Sequence, residues 1–217
     1  EKNFSKYIKS KPDLSGLLSN PYALNSVNYN GPSISSLRSV EWDKDLELWL
    51  APFIMSGINT RIVRRSNELL DFKYGEQFKY SEVTSYPKGL KGYIRSYLML
   101  ISLGLTKMLM SFRPTFWFLR KFYLPQPGEG PSKESREQGN YDVLFLADSD
   151  EETIEARVTG DMDPGYGSTS KMIAESAICL VQDCSELAGG IYTPAPAMGE
   201  KLITRLVDKA GLTFDII

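Results

Sequence analysis

The feature that most constrains this 217-residue chain is an apolar stretch that contains no acidic residue. Residues 83–128 carry seven Lys and Arg and no Asp or Glu, whereas residues 129–217 carry 7 basic and 17 acidic residues. The formal net charge of -2 therefore conceals balances of +1 over residues 1–82, +7 over 83–128 and -10 over 129–217. Such an uneven distribution informs on binding partners more than the total charge does.

The apolar stretch is predicted to be an amphipathic helical insertion over residues 88–123 that lies close to a membrane. A helix that spans a bilayer needs about 20 apolar residues, and here Lys107 and Arg113 interrupt the run while Pro114 kinks or ends the helix. At helical spacing, one face is apolar and comprises Ile94, Tyr97, Leu98, Ile101, Leu105 and Met108. The residues predicted to contact an anionic lipid surface are Tyr97, Ile101, Leu105, Lys107, Met108, Arg113, Trp117, Arg120 and Lys121.

Two other interpretations of this segment remain open. In the first, the helix packs its apolar face on the protein's own core and its basic residues face water. In the second, the cations bind nucleic acid, which we do not expect because they are diluted among Leu, Met and Phe, and because the acidic C-terminal part repels phosphates.

The chain contains no histidine, which excludes several kinds of site. Ser/His/Asp and Cys/His triads, His proton shuttles and His-containing zinc sites are all ruled out. The two cysteines, Cys179 and Cys184, are too few for a four-Cys metal site, so no metal is expected. Their spacing of five in one predicted helix places the two thiols on different faces.

The order of elements predicts an α+β fold, with a mixed, largely antiparallel sheet and helices on one face. Residues 1–37 are expected to form a short helix followed by loops, and residues 124–139 a Pro/Gly-rich return loop. Strands are predicted at 42–52, 75–83, 141–146, 153–158 and 191–193. Helices are predicted at 58–70, from a cap at Ser168 or Thr169 to 189, and at 198–210.

Two groups of residues are candidates for substrate or anion binding. The loop 163–170 lies between a strand and a helix, where backbone N–H groups near Tyr166, Ser168 and Thr169 can hold an anion. A dinucleotide fingerprint requires a third glycine where this chain has Ser170, so a plain helix cap is the favoured interpretation.

On the helix 58–70, Arg61, Arg64 and Arg65 lie within about one turn and can bind a carboxylate or phosphate. The alternative, a solvated face paired with Glu68 and other acids, is favoured for them.

Six blocks of sequence carry a resemblance to a known family. They are residues 20–24 (NPYAL), 49–66 (from WLAPFIM to NTRIVRRS), 74–80 (YGEQFKY), 124–132 (LPQPGEGPS), 160–169 (GDMDPGYGST) and 190–195 (GIYTPA) with the closing 211–214 (GLTF). In this order they resemble the saccharopine dehydrogenase-like oxidoreductases, a group that includes the trans-acting enoyl reductases of polyketide lipid synthesis.

The resemblance implies that residues 1–217 are the C-terminal substrate-binding and oligomerisation domain of an oxidoreductase. Members of the family begin with a Rossmann domain that binds NAD(P), and nothing in this chain matches its Gly-rich turn. The implied partners are that N-terminal domain and a second copy in a homodimer, and this chain alone is expected to bind no cofactor and to be inactive.

The family's association with membranes and lipid droplets implies an intracellular protein, peripheral to such a surface, that acts on a lipid-like substrate. No catalytic residue is carried over. The alternative function is a non-enzymatic lipid-surface or scaffold protein that retains the oxidoreductase fold.

Overall fold

The computed structural model describes residues 20–26, 29, 31–32, 34–126, 128–149 and 152–217. They fall into two compact units, Glu1–Phe122 and Tyr123–Ile217. The predicted α+β class is confirmed, since the described residues form six helices and two three-stranded sheets. The single mixed sheet is wrong, because every described strand pair is antiparallel and the strands divide into two separate sheets. The short helix predicted at the start of the chain lies outside the described residues.

The sheet of the first unit consists of β1 (Glu41–Asp43), β2 (Leu48–Pro52) and β3 (Val83–Tyr86), in that order. The single strand predicted over 42–52 is in fact the β1–β2 hairpin. The Oδ1 atom of Asp43 accepts hydrogen bonds from the backbone N–H groups of Asp45 and Leu46, both at 3.0 Å. This side-chain-to-backbone turn reverses the chain, which is why the strand is interrupted.

Helix α1 (Ser56–Leu69) confirms the helix predicted at 58–70. The strand predicted over 75–83 is wrong, because pairing starts only at Val83. The side chain of Asn67 instead bonds to the loop between α1 and β3. It donates to the carbonyl of Gly75 at 2.9 Å and accepts from the N–H of Tyr74 at 2.9 Å. These bonds occupy backbone groups that a strand would need for its ladder.

Residues 88–123 are helical, as predicted, but form two helices, α2 (Leu90–Ser111) and α3 (Arg113–Phe122). Phe112 separates them with an extended backbone (φ -93°, ψ 112°). Pro114 is the second residue of α3, where its missing N–H and fixed φ are tolerated.

In the described part of the chain, no helix has both the length and the apolarity needed to cross a membrane.

The second unit contains helix α4 (Lys133–Gln138) within the predicted return loop, and then the hairpin of β4 (Tyr141–Asp148) and β5 (Thr153–Gly160). Helices α5 (Gly167–Gln182) and α6 (Pro194–Ala210) follow, and β6 (Leu212–Ile216) closes the sheet in the order β4-β5-β6. The strands predicted at 141–146 and 153–158 are confirmed. The strand predicted at 191–193 is wrong, and β6 was not predicted. The core includes Leu206, Ala210 and Leu212, which bury the contact of α6 with β6.

The two cysteine thiols lie together, contrary to the prediction. Helix α5 ends at Gln182 instead of continuing to residue 189, so Cys184 lies beyond the helix on a chain that turns back. The Sγ atoms of Cys179 and Cys184 are 4.0 Å apart, and both cysteines are buried beside Met198. The prediction failed because it extrapolated helical rotation across a helix end. Among the described residues, no three Cys, Asp or Glu side chains form a group that could hold a metal ion.

Candidate functional site

The loop before α5 is capped by the protein's own carboxylate. The carboxylate of Asp163 accepts hydrogen bonds from the N–H groups of Gly165 at 2.9 Å, Tyr166 at 3.0 Å and Gly167 at 2.7 Å. These bonds, that from Gly167 foremost, lower the pKa of Asp163 from its ordinary value. The cap predicted at Ser168 or Thr169 is therefore wrong, and Asp163 performs that role.

The predicted anion-binding residues of this loop face different partners. Ser168 is buried and its Oγ lies 2.9 Å from the hydroxyl of Tyr141, while Thr169 donates to the carbonyl of Pro164 at 2.6 Å. Tyr166 is exposed. A dinucleotide phosphate does not fit here, because Asp163 already occupies the N–H groups and its negative charge repels phosphate. Strand β5 also pairs antiparallel with both neighbours, unlike the parallel strand of a dinucleotide-binding unit.

We expect Asp163 to stabilise the fold in a pH-dependent way. Its pKa is lower in the folded state, so its contribution is complete above the ordinary value of 3.8 and is lost as the pH falls through the lower folded value. Asp163→Asn should therefore unfold at lower urea concentration than the wild type at pH 6, and this difference should shrink as the pH falls below about 4. Asp208→Asn, at an exposed position on α6, is the matched control. A difference between Asp163→Asn and wild type that did not change with pH would contradict the assignment.

The three predicted arginines contact the chain's own groups and do not converge. Arg61 donates from Nε to the carbonyl of Asn20 at 3.1 Å, and Arg64 donates from Nη1 to the carbonyl of Pro21 at 3.2 Å. Arg65 forms an ion pair with Glu68 at 2.8 Å. Arg61 and Arg64 thus fasten the segment at residues 20–22 to α1.

Arg64 is the most deeply placed of the three. Its guanidinium carbon lies 4.8 Å from the ring centroid of Tyr22, a cation–π contact. The Nε atom has no hydrogen-bond partner in the described part of the chain. The residue is only 5% exposed, however, so an external anion does not reach it without a rearrangement.

The predicted lipid-contact residues lie on an exposed helical surface, which we call the α2–α3 surface (residues 90–122). Its apolar members are not packed on the protein's core: Tyr97, Ile101, Leu105, Met108 and Trp117 are 37–62% exposed. In α2, only Gly92 and Ser96 are buried.

Most cations of this segment form no ion pair with a carboxylate of the described residues. Within the described ranges, only Lys88, just before α2, forms an ion pair, with Glu47 at 2.8 Å. The cations without a described ion pair are Lys91, Arg95, Lys107, Arg113, Arg120 and Lys121. The Lys121 ammonium lies over the rings of Trp117, at 5.0 Å, and Phe122, at 5.3 Å. Exposed apolar side chains and cations without a described ion pair therefore occur together in these two helices.

Sequence reasoning missed an aromatic cleft at the start of α2. It has a volume of about 500 Å³ and is lined by Trp42, Trp49, Gly89, Leu90 and Tyr93. Trp42 and Trp49 are cross-strand partners on β1 and β2 with ring centroids 5.0 Å apart. The ring centroid of Tyr93 lies 5.0 Å from that of Trp49. The sequence signal for it is the pair of tryptophans on either side of the Asp43 turn, because a hairpin turn there makes them cross-strand neighbours.

Glycine at position 92 allows α2 to lie against the second of these tryptophans. A Cβ atom on Gly92 would lie 1.7 Å from the carbonyl oxygen of Pro87 and 3.3 Å from Cδ1 of Trp49. The close approach of helix and sheet that forms the aromatic cleft therefore requires a residue without a side chain.

The chain is similar to several reductases of known sequence. It is 34% identical over 221 residues to a protein of Mycobacterium tuberculosis provisionally named a trans-acting enoyl reductase, covering 90% of this chain and 49% of that protein. It is 32% identical over 211 residues to the trans-acting enoyl reductases of Mycobacterium ulcerans and Mycobacterium bovis, covering 91% of this chain and 50% of each. No family model matches the chain, and no solved structure matches it.

This chain is thus related to the trans-acting enoyl reductases, in agreement with that part of the resemblance. It spans about half the length of the curated relatives it matches.

Proposed function

We propose that this chain is the C-terminal, substrate-binding half of an NAD(P)-dependent oxidoreductase that acts on a lipid-like substrate at an anionic lipid surface. The observation that carries the proposal is the similarity to trans-acting enoyl reductases over 90% of the chain at 34% identity. The names of these relatives describe the reduction of an enoyl group, which requires a hydride donor such as a nicotinamide cofactor.

In this proposal, the cofactor binds to a part of the protein outside this chain. The relatives are about twice as long as the matched region, and the loop before α5 does not fit a dinucleotide phosphate. In the proposal, an N-terminal Rossmann domain binds NAD(P) and supplies the hydride, while this chain shapes the substrate pocket and joins two copies in a homodimer.

The proposed location is intracellular, at a peripheral membrane or lipid-droplet surface. The support is the α2–α3 surface, which combines exposed Ile101, Met108 and Trp117 with cations that have no described carboxylate partner. Apolar side chains gain free energy when they enter the boundary between headgroups and acyl chains, and cations are attracted to anionic lipid.

A cofactor titration tests the division of labour. We expect this chain alone to bind NADPH at least 100-fold more weakly than the protein that includes the N-terminal half, measured by the increase in NADPH fluorescence on binding. Equal affinity would contradict the proposal, because the cofactor site would then lie within this chain.

An activity assay separates the enzyme from the non-enzymatic alternative. The longer protein is expected to oxidise NADPH in the presence of a long-chain enoyl thioester, and this chain alone is not. A longer protein that binds NADPH and lipid vesicles but never turns over would favour the scaffold function.

A further inference from the structure

The two cysteines of the chain, Cys179 and Cys184, lie together in the second unit and are called here the cysteine pair. Their Sγ atoms are 4.0 Å apart, and both residues are buried beside Met198. A disulfide bond is about 2 Å long, so the two sulfur atoms must approach by about 2 Å to form one. Rotation about χ1 moves a cysteine sulfur over such a distance.

The end of helix α5 brings these two residues together. The N–H group of Asp183 donates to the carbonyl of Cys179 at 2.9 Å, which closes the last helical turn. The N–H group of Leu187 donates to the carbonyl of Cys184 at 3.1 Å, in the turn that follows. Cys179 is therefore fixed in a helix, whereas Cys184 lies in a short turn, and such turns open locally at a lower free energy than helices do.

The two thiols differ in their access to solvent. Cys179 is fully buried, and this burial, followed by its hydrogen bond with Cys184, raises the pKa of the Cys179 thiol. Cys184 is 6% exposed and is followed by the exposed residue Ser185. Because a thiolate is the attacking group in thiol–disulfide exchange, we expect Cys184 to react first with an oxidant and Cys179 to react second.

The turn that carries Cys184 is fastened to helix α6 through Asp183. The Lys201 ammonium donates to the carbonyl of Asp183 at 2.6 Å, and the guanidinium of Arg205 donates to its carboxylate. Neither contact uses a sulfur atom. A bond between the two sulfurs is therefore compatible with the contacts that hold the turn in place.

We propose that the cysteine pair is a reversible oxidation site, at which a low-molecular-weight disulfide such as glutathione disulfide converts the two thiols to an intramolecular disulfide. In the first step, the Cys184 sulfur attacks glutathione disulfide, forms a mixed disulfide and releases one glutathione. In the second step, Cys179 loses its proton and its sulfur attacks that of Cys184, which forms the new disulfide bond and releases the second glutathione. Each proton passes through solvent to a departing glutathione thiolate. The chain thus loses two electrons and two protons, and one glutathione disulfide becomes two glutathiones.

The cysteine pair is expected to be reduced in a reducing compartment and oxidised only when the ratio of glutathione disulfide to glutathione rises. Disulfides that do form in such compartments are usually transient, and many act in catalysis or redox sensing. This inference does not depend on the proposed reductase function, since it concerns two residues of this chain alone.

Oxidation of the native chain in glutathione buffers tests the proposal. Because the chain has only two cysteines, the intramolecular disulfide is identified as a monomer, lighter by two hydrogens, that takes up no N-ethylmaleimide. We expect the equilibrium constant for its formation against glutathione to be at least about tenfold larger in native buffer than in concentrated urea. The reason is that the fold keeps the two sulfurs 4.0 Å apart, whereas the unfolded chain does not.

Two single substitutions test the order of the steps. In Cys179→Ser, the glutathione adduct on Cys184 should accumulate, because no second thiol displaces the glutathione. In Cys184→Ser, the fully buried Cys179 should form its adduct at least about tenfold more slowly. Circular dichroism verifies that both variants are folded, and the wild-type measurement stands without them.

Three results with the wild-type chain overturn the proposal. The first is uptake of N-ethylmaleimide by both thiols after the native chain has reached equilibrium in glutathione disulfide. The second is a chain that carries two glutathione adducts in place of an internal disulfide. The third is an equilibrium constant in native buffer no larger than in urea, because the fold would then keep the sulfurs apart. Equal rates of adduct formation in the two single variants contradict the assigned order of attack.

Discussion

Lys107→Glu/Arg113→Glu is expected to abolish flotation of the chain with vesicles that contain anionic lipid. Both cations are exposed and have no described ion pair, and each cation near an anionic surface contributes about 1 kcal/mol to binding. Reversing two charges removes two attractions and adds two repulsions, so the partition coefficient should fall on the order of 1,000-fold. The measurement is the fraction of protein that floats with phosphatidylserine-containing vesicles at low and high salt.

The matched control changes the net charge equally at a different place. Lys73→Glu/Lys79→Glu reverses two exposed lysines between α1 and β3 and should leave flotation within about threefold of wild type, since long-range effects are screened by salt. Equal losses in both double variants would show that only net charge matters. Equal flotation of wild type and Lys107→Glu/Arg113→Glu would remove the electrostatic basis of the lipid contact.

Gly92→Ala and Gly104→Ala, two identical substitutions in helix α2, are expected to change stability in opposite directions. A Cβ on Gly92 would lie 1.7 Å from a backbone oxygen of Pro87, so the helix start must move and about 3 kcal/mol of stability is lost. A Cβ on Gly104 meets nothing within 4 Å, so alanine raises the free energy of unfolding by about 0.5–1 kcal/mol through its higher helix propensity. Chemical denaturation followed by circular dichroism measures both.

The pair also tests whether the aromatic cleft depends on the close approach of α2 to β2. A Gly92→Ala variant as stable as wild type would contradict that packing.

The strongly periodic elements could be predicted from the sequence, and those determined by side-chain contacts to the backbone could not. The helix around Arg61 and the hairpin that pairs Val143 with Val158 follow from apolar spacing, and both are present. The apparent strand at 75–83 alternates just as well, but Asn67 engages the loop at Tyr74 and Gly75 first. Periodicity carries no information on such bonds, because they join residues seven and eight positions apart.

The prediction of the candidate sites was limited for the same reason, because sequence patterns do not show which side chains contact one another. The exposed α2–α3 residues could be named from composition and spacing alone. The aromatic cleft could not, because it requires the β1–β2 register to bring Trp42 beside Trp49 and Gly92 to admit α2. The role of Asp163 was missed because sequence rules place a helix cap directly before the helix, whereas this carboxylate reaches forward from four residues before Gly167.

The extended residue Phe112 also limits how far the helical surface reaches. A continuous helix over residues 90–122 would be a straight rod of about 50 Å at about 1.5 Å per residue. The interruption leaves one rod of 22 residues and one of 10, about 33 and 15 Å long. Two short rods joined by one non-helical residue follow a curved object more closely than one long rod does. If the α2–α3 surface contacts lipid as proposed, we expect the break to favour small, highly curved particles over extended flat ones.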